Sequence, residues 1–105
     1  MTYDEFNKSL KAQSFFAFHN QQWRVFCLLV FRPQVNRDIV ISAMWEDENK
    51  EPDNVLKLVY ICICKMRLKL RKFPISIRTA WGEGYYMTKE DRMKAIELAK
   101  QAMER

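Results

Sequence analysis

Glycine is almost missing from this chain. Its two glycines, Gly82 and Gly84, stand two residues apart, so no glycine-rich loop exists to cradle a phosphate. Histidine occurs once, as His19, with no acid or nucleophile pattern around it. It reads as a capping or packing residue, and no enzyme activity is expected. The cysteines are Cys27, Cys62 and Cys64. An odd count is no disulfide framework, and a C-x-C pair without further Cys or His neighbours is no zinc site. They read as small buried or half-buried thiols in a reducing compartment. The acidic run 46–53, EDENKEPD, lacks the spacing and glycine of an EF-hand loop and reads as a solvated linker. No metal or cofactor is expected. The opening MTYDEFNKSLK has no basic segment followed by an apolar one, so it is no signal peptide. Val25–Phe31, among the longest apolar runs, is too short to span a bilayer. The expectation is a cytoplasmic protein with no membrane partner.

The 105 residues fit one domain, and a hydrophobic share of 49% supplies a real but small core. Net charge is +5 with a pI near 9.2, which favours an acidic partner. That charge is concentrated. Between Lys57 and Lys72 lie Lys57, Lys65, Arg67, Lys69, Arg71 and Lys72, and no acid. Val59, Ile63, Met66 and Leu70 recur at helical spacing on one face of this stretch, and Lys57, Tyr60, Cys64, Arg67 and Arg71 on another. One helix thus offers an apolar side to a core and a basic side to something else. A DNA-recognition helix fits that division. Lys57, Tyr60, Cys64, Lys65 and Arg67 would face the groove, with Arg71 and Lys72 towards phosphate.

Around it, Tyr3 to about Ala12 has helical spacing with acids early and lysines late. Ser14–Phe18 reads equally as a strand or as the lead-in to the next helix. Asn20 to about Phe31 is a helix apolar nearly all round, capped by His19 or Asn20 and ended by Pro33. Asn36 caps a third helix, whose Ile39, Val40, Ala43 and Met44 lead to Trp45. The basic helix runs from about Asn54 to Lys72. Ile75, Ile77 and Thr79 alternate with polar or small residues as a strand, Trp81–Gly84 turns, and Tyr85–Met87 returns. Thr88 with Asp91 resembles a capping box. It opens a last helix to about Met103 with a thin stripe of Met93, Ile96, Ala99 and Met103.

Three of these segments resemble the winged helix-turn-helix effector domain of OmpR/PhoB-type response regulators. They are NRDIVISAMW at 36–45, the Val59, Ile63, Met66, Arg67, Leu70 pattern, and RTAWGEGY at 78–85. The resemblance covers about Phe18 to Met87. It implies an α+β fold, mainly α with a small β-hairpin: a three-helix core, the hairpin as a wing, and an extra C-terminal helix. Residues 1–18 would be an N-terminal helix or arm, 19–87 the winged domain and 88–105 the last helix. The resemblance puts Lys57, Cys64, Lys65 and Arg67 at positions that contact DNA and Thr79 at one that contacts the backbone; Arg78 and Trp81 complete the wing. Where the family often has a wing arginine, this chain has Trp81. The family's receiver domain has no room in 105 residues, so a standalone domain is expected.

The expected function is a DNA-binding transcription regulator. Operator symmetry would come from a homodimer through the last helix or Tyr3–Lys11. The alternative is a winged-helix adaptor that binds RNA polymerase or another regulatory protein, which the apolar Leu58, Ile61, Cys62 and Cys64 and the aromatic wing favour.

Overall fold

The computed structural model describes residues 1–45 and 53–105. It is mainly helical, with one small antiparallel hairpin. The helices are α1 (Tyr3–Lys8), α2 (Leu10–Phe16), α3 (Asn20–Phe31), α4 (Arg37–Met44), α5 (Val55–Leu70) and α6 (Lys89–Met103). The strands β1 (Arg78–Ala80) and β2 (Gly84–Tyr86) stand between α5 and α6. The acidic linker, but for Asp53, lies outside the described residues.

The N-terminal stretch is two helices rather than one. Ser9 divides them because it serves both ends. Its N–H closes α1 onto the Phe6 carbonyl, and its hydroxyl accepts from Ala12 N at the start of α2. The helix continues through the aromatic run to Phe16, and Ala17 then takes a left-handed conformation, φ 60. These residues are not a loose arm. Phe6, Ala12, Phe16 and Phe18 are buried. Phe6 stacks on Trp23 with centroids 5.0 Å apart, and Trp23 Nε1 donates to Asn7 O at 2.9 Å.

Helix α3 is the central rod, as its all-round apolar sequence implies. It buries Trp23, Val25, Phe26, Cys27, Leu29 and Val30. His19 caps it: Nδ1 accepts from Gln22 N, and Gln22 Oε1 accepts in return from His19 N. That cap requires a neutral imidazole. Burial first, then the charges of Lys69 and Lys65, holds the His19 pKa below its ordinary 6.5. The folded chain thus binds fewer protons than the unfolded one, so this contribution is complete above pH 6.5 and is lost as pH falls through the lowered pKa. His19 is largely solvated, so the effect is bounded by an ordinary cap, about 1 kcal/mol. His19→Asn should keep the cap and flatten the dependence. Between pH 7 and 5 its urea midpoint should drift less than the parent's; equal drift would show that His19 is not the titrating group.

Arg24 and Gln21 of α3 set the angle of α4. Arg24 Nε and Nη2 donate to Ala43 O and Met44 O at 2.7 and 3.2 Å, and Gln21 Nε2 to Met44 O at 3.0 Å. They satisfy carbonyls that the end of α4 leaves without helical partners. Asn36 caps the other end through Ile39 N.

The last helix packs on α2 and α3, only in part by the stripe the sequence suggests, of which Ala99 is buried and Ile96 half-buried against the core. Ala95, Ala99 and Ala102 are buried, while Met93 is 61% exposed. Small residues let the helices approach closely, so the buried face follows alanine rather than bulk. Thr88 caps α6 through Asp91 N, but Asp91 closes no box; its carboxylate accepts from Ser76 N at 3.0 Å.

Candidate nucleic-acid interface

Helix α5 divides as its spacing dictates. Val59, Cys62, Ile63, Met66 and Leu70 are buried, whereas Lys57, Lys65, Arg71 and Lys72 are exposed. Between Asp53 and Glu83 the chain has no acid, so nothing local in sequence offsets these charges. Tyr60 is 61% exposed, and its hydroxyl is hydrogen-bonded with Cys64, which raises the phenol pKa; it stays neutral. Leu68 is 55% exposed in the middle of the same face. Charge-led reading passed over Leu68; its phase, about 40° from Cys64 and opposite Met66, was the signal.

Two of the cations in this helix do internal work. Arg67 turns back to the hairpin. Its Nε donates to Ile77 O at 3.0 Å and Nη2 to Thr79 Oγ1 at 2.9 Å, with the guanidinium 5.9 Å from the centre of the Tyr85 ring. Lys69 reaches the other way. Its Nζ donates to Ala17 O and to Gln22 Oε1, each at 2.7 Å, and lies over the Phe18 ring. Gln22 is a buried polar side chain at 1% exposure, and the lysine gives its oxygen a second, charged donor beside His19 N–H.

The hairpin is held from a second side. In register Arg78 faces Tyr86, Thr79 faces Tyr85 and Ala80 faces Gly84. Val35, in the link between α3 and α4, adds a bridge to Tyr85, with N–H to O distances of 2.8 and 2.9 Å in the two directions. The tip turns over Trp81–Glu83, with Glu83 N donating to Ala80 O and Gly82 at φ +78. Trp81 is 90% exposed, so it packs on almost nothing of the domain. Arg78 is exposed and Thr79 half-buried under Arg67. The paired strand is shorter than the alternation of 75–80 implies. Ile75 and Ile77 are buried but face no partner strand; Ser76 N and Ile77 O are satisfied by Asp91 and Arg67 instead.

A cleft of about 260 Å³ opens beside this face between the start of α3 and Leu58–Lys65. His19, Gln22, Trp45, Ile61 and Cys62 line it. Burial pushes the Cys62 thiol up to about 11, so it is protonated near neutral pH. Among the described residues the lining has no carboxylate, and no group of three His, Cys, Asp or Glu could hold a metal ion. Nor is any described helix long and apolar enough to cross a membrane.

Comparison with known proteins finds no matching family, no similar curated protein and no similar solved structure.

Proposed function

We propose that this chain is a winged helix-turn-helix DNA-binding domain of the OmpR/PhoB type that acts as a transcription regulator. Helix α5 would enter the major groove, α4 would brace it and the hairpin would be the wing. One observation carries the reading. A helix face with exposed cations and no acid is bolted through Arg67 to a hairpin whose tip offers a fully projecting tryptophan. The Val35 bridge supports the winged topology, because it ties the link before α4 to the wing.

Lys57 and Lys65 on α5, Arg71 and Lys72 just past its end, and Arg78 on the wing are the exposed cations left for phosphate. Thr79 and Arg67 act from behind, by fixing the wing to the helix. Five neutralised phosphates would give a slope of log K against log salt of about −4.5. Fluorescence anisotropy on a labelled duplex, titrated from low to physiological salt, measures it. A slope near zero, or no binding at low salt, would remove the proposal.

The second reading, an adaptor for RNA polymerase or another regulator, has its own support. Leu56, Tyr60 and Leu68 are all more than half exposed on α5, and contiguous apolar surface often marks a protein contact. A pull-down against the transcription machinery is then the relevant assay. A homodimer would use Leu10, 77% exposed, and Met93, since the alanine face of α6 is already covered.

A further inference from the structure

Taking α5 as the groove-entering helix, we infer that it reads thymine methyl groups rather than guanine edges, so that the preferred target is thymine-rich at its centre. The inference rests on the DNA-binding reading above and adds the chemistry of its specificity.

The outward line of α5 is set by the core line. Val59, Ile63, Met66 and Leu70 face inward. Two residues before each, about 200° round the helix, stand Lys57, Ile61, Cys64 and Leu68. After Lys57, the ridge opposite the core line therefore carries Ile61 and Cys64, both half-buried, and the exposed Leu68, with the exposed Tyr60 beside them. The cations lie at its ends and flank: Lys57 in the first turn, Lys65 to one side, Arg71 and Lys72 past the last turn. That placement suits phosphates, which rim the groove, better than bases, which floor it.

The residue type that most often takes guanine is a bidentate arginine. The one arginine within α5, Arg67, has its Nε and one Nη occupied by Ile77 O and Thr79 Oγ1. It cannot present a free fork to O6 and N7 without releasing the hairpin. What remains at the ridge is apolar, and the thymine C5-methyl is the apolar group that a major-groove base edge displays.

The test begins with selection from a pool of duplexes randomised over 20 base pairs, using the full chain. The winning site is then made twice, once with thymidine and once with deoxyuridine, which keeps the pairing and removes only the methyl. Burial of one methyl is worth about fourfold in affinity, so two or three contacts should cost the deoxyuridine duplex about tenfold or more. Leu68→Ala, a change at an exposed position, should narrow the gap between the duplexes. A guanine-centred consensus, equal binding of the two duplexes, or a gap indifferent to Leu68→Ala overturns the inference and leaves DNA binding standing. Retention of no duplex at all overturns both and turns the apolar ridge towards a protein partner.

Discussion

Lys65→Glu combined with Arg71→Glu should weaken DNA binding about a hundredfold while the protein stays folded. Both side chains are exposed, and neither is among the anchoring residues Arg67 and Lys69. Surface changes of this kind usually move stability by about 0.5 kcal/mol or less. Each reversal would turn a phosphate contact into a repulsion. With each lost contact worth about 1.4 kcal/mol, affinity should fall about a hundredfold. The salt slope should become shallower by about 2, because two fewer counterions are released. Anisotropy and a melting curve on the same sample read both. An unchanged affinity would mean that this face meets no nucleic acid. Arg67→Glu is the wrong probe, although Arg67 is the one arginine within the helix. It would release Ile77 O and Thr79 and put a carboxylate beside Tyr85, so a loss of binding would report a detached hairpin rather than a lost contact.

Arg67 also shows where the sequence stops speaking. Helical spacing assigns each residue to a face, and it assigned the core of α5 correctly because Val59, Ile63, Met66 and Leu70 are apolar throughout and stay buried on the side to which their Cβ atoms point. Arginine and lysine do not. Their long stems carry the charge far from its helical position, so Arg67 ends on the Ile77 carbonyl just before β1 and the Thr79 hydroxyl within it, and Lys69 on the carbonyl at the α2 terminus. Caps were legible at His19, Asn36 and Thr88, since a cap is a local event between residues three apart. The stripe of α6 was legible in part. Ala99 is buried and Ile96 packs against the core, but Ala95 and Ala102 owe their burial to how close α2 and α3 come, and a reading weighted by bulk placed Met93 there. The division at Ser9 was hidden for a related reason: serine is tolerated within a helix and favoured at its start, and only the burial of both Phe6 and Ala12 decides between them.

Gly84→Ala should be the most damaging single substitution in the hairpin, and far worse than Gly82→Ala. At both positions φ is positive, +140 and +78, so any L residue is strained. The surroundings separate them. A Cβ at Gly82 meets nothing within 4 Å, so the cost there is the backbone alone, about 1 kcal/mol. A Cβ at Gly84 would fall 2.1 Å from Val35 O and 2.7 Å from Asn36 Cα, both backbone. Neither can swing aside as a side chain would. The link between α3 and α4 would have to lift off the hairpin, breaking the Val35–Tyr85 bridge and leaving two backbone N–H groups and two carbonyls to find new partners. A loss of about 3 kcal/mol or more follows, a drop in melting temperature on the order of 12 °C or more for a chain of this size. Because the bridge helps set where the wing stands relative to α4 and α5, DNA affinity should fall as well, even at temperatures where the variant remains folded. Equal melting temperatures for Gly84→Ala and Gly82→Ala would mean that Val35 does not sit against the hairpin, and the argument for a wing held on two sides would go with it.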